Sequence, residues 1–504
     1  MLFLLLITSY KIWMRDKLEK YLKKIDEVIE RGPYKDNWDS LAFHKVPDWY
    51  RNAKLGIFIH WGVFSVPAFG NEWYPRWMYK KDTNEHRHHI ETYGPLKDFG
   101  YKEFVPMFKA ENYNPEEWVK LFKRAGAKFI MPVAEHHDGF QMYDSELSEW
   151  CASKKGPCKD MMGMLKNEVE KNNLVFTASS HRIEHYWFMG GMRETESDIP
   201  EKLEYGDFYW PSYIEPFENY NQEQIQGFEV ETLFMQDWLV RTCEIVDKYR
   251  PRIVYFDWWI QVEAAKPYLK KFIAYYYNRA LEWGEEVTVN YKNDALMYQC
   301  GVRDIERGQL SDISPDYWQN DTSVAKNSWC FTENNDYKKP EEIISCLIDV
   351  VSKNGSLLLN VGPKADGTLP EKDIELLNAL GEWMDINGEG IYETSFWKKS
   401  GEGPTVTEEG HFTDVLEHSF TSEDFRFTYK NGCIFAFSMK WPEDGVARIR
   451  TFGKKSKNFK GVIRNVEVLG APEGCEFQLC DEYLSVSAKG MKTTLPVGIK
   501  IMVD

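Results

Sequence analysis

A (β/α)8-like barrel followed by a C-terminal β-sandwich domain is the α/β fold class this chain predicts, and three observations carry it. Between about residues 50 and 390, short apolar runs alternate with amphipathic helical patterns, as parallel strands joined by helical crossovers require. Polar and aromatic residues gather just after the ends of those runs, where a barrel of this kind places its chemistry. Beyond about residue 395 the hydrophobic period shortens to two, the signature of half-buried strands. The expected organisation is an N-terminal helical extension over 1–45, a catalytic barrel over 46–394 and a β-sandwich over 395–504.

The elements follow in order. Met1 to Thr8 are strongly apolar but lack a basic flank and a cleavage site, and they are too short to span a bilayer. Met14 to Leu22 read as an amphipathic, charged helix, so translation from Met14 and a leaderless protein are expected. Candidate strands are Leu55–His60, Lys128–Glu135, Leu174–Ser179, Ile253–Asp257, Val287–Asn290 and Ser356–Val361. Asn114-Pro115-Glu116-Glu117 is a helix cap with proline at the first helical position, and Trp118, Val119, Leu121, Phe122 and Ala125 recur at helical spacing after it. Met235 to Tyr249 repeat that spacing, and further helices are expected at Tyr268–Trp283, Pro340–Ser352 and Glu371–Ile386. The long segments Val63–Phe104 and His181–Glu229 would roof a pocket. Near the C-terminus, Phe425, Phe427 and Tyr429 alternate with polar residues. Asn431-Gly432 then offers a type I′ turn before Phe435, Phe437 and Met439 resume the alternation. No Gly-x-Gly-x-x-Gly follows any strand, which weakens a dinucleotide-binding reading.

Composition narrows the function. The 504 residues are 43% hydrophobic and 15% aromatic, with 19 tryptophans. That density supports large cores and exceeds what packing alone requires, which suits a site that stacks on sugar rings or on bases. A net charge of −17 repels phosphates and anionic lipid, so neither nucleic acid nor membrane is expected as a partner. A homo-oligomer is compatible with these totals. Nine cysteines form no Cys-x-x-Cys and no regular framework; scattered thiols of this kind fit a cytoplasmic protein.

The run Arg252-Ile253-Val254-Tyr255-Phe256-Asp257-Trp258-Trp259 sets one carboxylate among six large apolar side chains. Asp is disfavoured in strands and almost never buried without a partner. It could instead cap the next segment, but no helix start follows it, so a catalytic or ligand-binding carboxylate is preferred. Gly56-Ile57-Phe58-Ile59-His60-Trp61-Gly62 ends a strand in an imidazole and an indole, and Asn71-Glu72-Trp73-Tyr74 adds a carboxylate among aromatics. Each alone would suggest packing. Glu135-His136-His137-Asp138 places four ionisable groups at a strand end. Adjacent residues on an extended chain point oppositely and no His-x-x-x-His or Cys completes a ligand set. Hydroxyl recognition is therefore preferred over a metal site. Ser179-Ser180-His181-Arg182-Ile183-Glu184-His185 follows another strand and fits substrate contact or an Arg182–Glu184 ion pair steadying a loop. Asp304-Ile305-Glu306-Arg307 would by default be a surface charge run, but its place after a strand raises Glu306 above background.

In order along the chain, Gly56-Ile57-Phe58-Ile59-His60-Trp61-Gly62, Glu72-Trp73-Tyr74, Glu135-His136-His137-Asp138-Gly139-Phe140, Tyr143-Asp144-Ser145, the strand ending in Asp257, Asn327-Ser328-Trp329 and Leu357 to Gly367 resemble the α-L-fucosidases of glycoside hydrolase family 29. The resemblance covers about residues 45 to 395. It implies a retaining exo-glycosidase without metal or cofactor, acting on fucosylated oligosaccharides or glycoconjugates. It also implies Asp257 as nucleophile, and His60, Glu72, Trp73, His136 and His137 as residues that hold the sugar, with Tyr255 at a usual aromatic position. Glu306 is the preferred acid/base, with Glu72 and Glu184 in reserve. Two segments depart from the commoner pattern. Ser180 to His185 replace a Ser-Leu-x-Glu-Trp type segment, and Trp318-Gln319 stand where many members carry Trp-Glu. Both changes are expected to reshape the pocket mouth. Competing readings are a transfucosidase, a hydrolase of a related 6-deoxy sugar or galactoside, and a non-catalytic fucose-binding protein.

Overall fold

The computed structural model describes residues 2–190, 195–213, 229–414 and 419–504. The side chains of residues 1–13, and with them the apolar start, lie outside the described residues, as does part of the segment His181–Glu229. Nine strand segments run β1 Leu55–Ile59, β2 Phe129–Glu135, β3 Val175–Phe176, β4 Ala178–Ser180, β5 Ile253–Phe256, β6 Thr288–Lys292, β7 Val302–Glu306, β8 Trp318–Ser323 and β9 Gly355–Val361. β3 and β4 are one stave interrupted at Thr177, so the sheet has eight. Its order is β1-β9-β8-β7-β6-β5-β4-β2, and pairing of β1 with β2 closes it. Neighbouring staves are parallel throughout, for example Ile253 to Tyr255 against Thr288 to Asn290.

The alternation along each stave decides what faces in. Phe58, Met131, Val133, Ile253, Tyr255, Val302 and Leu358 form the buried barrel interior. Ile57 and Ile130 pack outward against the helices Pro115–Arg124 and Glu371–Asn387, and Val254 and Phe256 against Thr232–Tyr249 and Lys266–Trp283. Asn114 caps its helix as expected, its side chain accepting from the Glu117 N–H at 3.4 Å. The N-terminal helix spans Leu2–Arg31 and lays Leu18, Ile25, Val28 and Ile29 on the same outer core. Among the described residues no helix is long and apolar enough to cross a membrane.

The sequence pattern missed two staves, β7 and β8. No helix precedes either: residues 293–301 and 307–317 cross as loops. The outer wall left bare by those missing crossovers, with Tyr291, Arg303, Ile305 and Trp318, lines a cavity of about 990 Å3. This cavity is therefore on the flank of the barrel and away from the strand ends that carry the ionisable groups.

The C-terminal region forms a five-stranded antiparallel sheet in the order Ser395–Glu402, Phe425–Lys430, Cys433–Ser438, Val497–Val503, Ile463–Val468, and a three-stranded sheet of Val446–Ile449, Leu484–Ser487 and Glu476–Leu479. Phe425, Phe427, Ile449, Phe452, Val486 and Ile499 fill the space between them. Asn431 and Gly432 have φ of 50° and 79°, the left-handed pair that a type I′ hairpin needs.

Candidate active site

Seven staves deliver polar groups to one end of the barrel. His60 follows β1, Glu135 to His137 end β2, His181 follows β4, Asp257 follows β5, Lys292 ends β6, Glu306 ends β7 and Asn360 lies in β9. This is the C-terminal face, where loop and strand-end residues converge on the barrel axis.

Asp257 sits at the centre of an imidazole set. Its Oδ2 lies 3.1 Å from His181 Nδ1 and 3.5 Å from His137 Nε2. An ionised carboxylate only accepts hydrogen bonds, so His181 carries a proton on Nδ1. On the other side of that ring, Nε2 is 3.1 Å from the Ser179 hydroxyl. Burial alone would raise the Asp257 pKa. His181, by charge and hydrogen bond, together with Lys292 and His137, outweighs burial and holds this carboxyl well below the usual carboxylate range.

Beneath it, one cation serves several acids. Lys292 Nζ is completely buried, 2.6 Å from Asp304, 3.0 Å from Asp321 and 3.2 Å from Glu306. Tyr255 donates its hydroxyl to Asp321 at 3.0 Å, and Gln319 donates to Asp304 at 2.7 Å. One ammonium cannot balance every carboxylate around it in a medium of low polarity, so protons stay on some of them. Asp304 is raised well above the ordinary value by burial and by Asp321. Burial, with Asp257 and Asp321 nearby, pushes Glu306 up to about 7 against the pull of Lys292. The Trp258 indole N–H donates to Glu306 Oε2. Lys292, surrounded by acids, stays charged: they raise its pKa well above the ordinary value despite burial.

The walls combine neutral imidazoles with aromatics. Burial holds His60 and His136 well below the ordinary imidazole value and pushes His137 down to about 3. At neutral pH each ring then offers one donor and one acceptor. His60 Nδ1 is fixed by Asn360 at 2.7 Å and His137 Nδ1 by the His181 carbonyl at 3.1 Å. His136 Nδ1 is buried and has no hydrogen-bond partner among the described residues. Glu72 accepts from the Trp329 N–H at 3.0 Å and the Ser328 hydroxyl at 3.3 Å, and Trp329 lies along His60 with ring centroids 5.1 Å apart. Trp73 meets His137 and Phe188 edge-on at 5.6 and 5.2 Å. His60, His136 and His181 present ring nitrogens within 4.8 Å of one another, and ring nitrogens of His137 and His181 lie equally close to each other and to a carboxylate oxygen of Asp257. Both sets share His181, which lies against Asp257.

The structure thus gathers Asp257, Glu306, His60, Glu72, Trp73, His136 and His137 at one barrel end, and corrects several expectations. Asp304-Ile305-Glu306 is no surface run: Asp304 and Glu306 face the barrel interior while Arg303 faces out. His136 and His137 do not diverge, because the chain turns after Glu135 and their centroids lie 4.3 Å apart. Arg182 does not pair with Glu184. It bonds Glu135 at 2.6 Å and Asp237 at 2.9 Å, and Arg241 completes a buried four-membered ion cluster behind the histidine turn. Glu184 instead faces His137 at 3.5 Å. Tyr255 lies fully buried in the layer below the pocket, its hydroxyl turned to Asp321. Gln319 lies in the barrel floor beside Tyr50 and Asp304, and Trp318 donates to the Lys353 carbonyl at 2.9 Å; neither reaches the mouth. Lys292 and the direct bond from His181 to Asp257 were missed. A lysine closing a strand rich in β-branched and aromatic residues, Thr288-Val289-Asn290-Tyr291-Lys292, was the available signal for the first.

Strand-end carboxyls whose pKa values are pushed in opposite directions, beside imidazoles and indoles on a closed parallel barrel, fit a carbohydrate-active hydrolase. Residues 22–389 match the family model described as Alpha-L-fucosidase, and the chain belongs to the α-L-fucosidase family. It is 30% identical over 428 residues to human tissue alpha-L-fucosidase, covering 83% of this chain and 81% of that one. Human plasma alpha-L-fucosidase is likewise 30% identical, over 81% of this chain and 79% of its own length. The crystal structure of Thermotoga maritima alpha-fucosidase superposes with a TM-score of 0.71 at 28% identity, over 93% of this chain and all of that one. The same relative has been solved in complex with fucose.

Proposed function

We propose that this enzyme removes terminal α-L-fucosyl residues from oligosaccharides or glycoconjugates by double displacement, with retention of configuration. Family membership supports hydrolysis of fucosyl residues. The observation that carries the finer reading is the split between two buried acids, Asp257 pushed below the usual carboxylate range and Glu306 raised to about 7. Environments that push two carboxyls apart in this way assign a nucleophile and an acid. Asp257 attacks the anomeric carbon while Glu306 passes its proton to the leaving oxygen. Glu306 then takes a proton from water, which displaces Asp257 from the glycosyl-enzyme. The neutral rings of His60, His136 and His137 and the carboxylate of Glu72 hold the sugar hydroxyls, with Trp73 against the apolar 6-methyl face. Nine free thiols support a cytoplasmic setting.

The test is turnover of an aryl α-L-fucoside by Asp257→Asn. We expect a loss of at least about a thousandfold, since no covalent intermediate forms without the nucleophile. Full activity in that variant would show that Asp257 is not the nucleophile.

A further inference from the structure

We propose that Trp258 and Phe412 form an aromatic platform for the leaving group, a pyranose ring that stacks through its C–H face immediately beyond Glu306. This rests on Glu306 being the acid/base, because the group that protonates the leaving oxygen must border the leaving-group site.

The platform is assembled from two regions of the chain. Trp258 follows the nucleophile directly and donates to Glu306 Oε2. Phe412 comes from the long connection between the strands Ser395–Glu402 and Phe425–Lys430, which reaches back over the barrel mouth. It runs antiparallel to the end of β7. The Phe412 N–H donates to the Glu306 carbonyl at 2.8 Å and the Asp414 N–H to the Arg307 carbonyl at 2.8 Å, while Glu306 N–H donates to His411 Nδ1 at 3.0 Å. Gly308 makes room for it: a Cβ there would lie 1.8 Å from the Gly410 carbonyl oxygen. Asp414 anchors the far end through Lys338 at 2.6 Å and Thr322 at 2.7 Å.

This stitching fixes an aromatic residue where folding gains little from one. Phe412 remains 48% exposed. Its φ is 57°, a left-handed value that is a genuine outlier for a bulky side chain. Strain of this kind persists where surrounding structure enforces it, and it clusters at ligand clamps. The two rings are stacked, parallel within 9° with centroids 6.0 Å apart, so two aromatic rings with a common orientation lie beside the acid. Aromatic faces bind pyranoses through the sugar's C–H edges, and no charged group is needed for that.

The experiment compares fucosyl fluoride, whose leaving atom reaches no ring, with a panel of fucosyl-galactose disaccharides linked 1→2, 1→3, 1→4 and 1→6. The disaccharide turned over fastest by the wild type is used. Phe412→Leu should lower kcat/KM on that disaccharide about three- to tenfold, the worth of one aromatic contact, while the fluoride is affected much less. Phe412→Tyr should restore the disaccharide rate. Equal losses on both substrates would mark Phe412 as structural support and overturn the platform. So would an unchanged disaccharide rate, or a wild type that cleaves none of the panel while turning over fucosyl fluoride. A wild type inert toward fucosyl fluoride as well would instead overturn the fucosidase reading itself.

Discussion

Replacing Lys292 by methionine keeps most of the side-chain volume and removes the one charge that Asp304, Asp321 and Glu306 share at 2.6, 3.0 and 3.2 Å. Removing one partner of a buried ion pair typically costs about 3–5 kcal/mol, because the charges left behind stay desolvated. The site can lessen that cost by protonating its acids, so the loss depends on pH. Without Lys292 the folded-state pKa values of Asp304 and Glu306 rise further above their unfolded values. A group whose folded pKa is raised retains its stability below the unfolded pKa and loses it as pH rises through the folded one. Lys292→Met should therefore come closest to the wild type at the acid end of the range, near the ordinary carboxylate values of about 4. It should fall behind progressively as pH climbs past the value of about 7 already reached by Glu306. Urea unfolding followed by tryptophan fluorescence from pH 4 to 8 reads the difference. A loss below about 1 kcal/mol at pH 8, or one that does not depend on pH, would refute the shared-cation argument.

Two further outcomes follow from the same geometry. With Glu306 raised to about 7 by burial and by its acidic neighbours, kcat/KM should fall as pH rises through that value and the acid loses its proton. Glu306→Gln should abolish this basic limb on fucosyl fluoride and depress cleavage of poor leaving groups far more than good ones, whereas Glu184→Gln should leave the limb in place. The bond from His181 Nδ1 to Asp257 at 3.1 Å is worth about 1.5–3 kcal/mol as a hydrogen bond to a charge. His181→Phe should then lower kcat about ten- to a hundredfold and move the acidic limb upward, and Ser179→Ala should do the same to a lesser degree; an unmoved acidic limb would contradict this role.

Where the barrel obeys the usual pattern, apolar runs with helices between them, the sequence was legible: β1, β2, β5 and β9 lie within a residue or so of expectation. β7 and β8 were illegible for a physical reason. Their inward faces carry Asp304, Glu306, Gln319 and Asp321 around Lys292 in place of hydrophobic side chains, so no apolar run marks them, and no crossover helix separates them from their neighbours. Glu306 was singled out for its position after a strand, yet its burial, its lysine and its tryptophan partner are tertiary facts. Asp257 was conspicuous because its neighbours are apolar; His181 was not, because a histidine beside serines and an arginine looks like loop chemistry until the staves bring it against Asp257. The contribution of Phe412 comes from more than a hundred residues further along the chain than Glu306, in a segment whose local pattern marks only a connection between strands.

The central claim is a covalent bond between fucose and Asp257, and trapping it is the direct measurement. Incubating the enzyme with 2-deoxy-2-fluoro-fucosyl fluoride slows the second displacement, and peptide mapping by mass spectrometry then locates the sugar. The account predicts a single added fluorofucosyl group on the peptide containing Arg252 to Trp259, at Asp257, and none in Asp257→Asn. A label on Glu184 or Glu306, or turnover of fucosyl fluoride with no accumulating adduct, would contradict it.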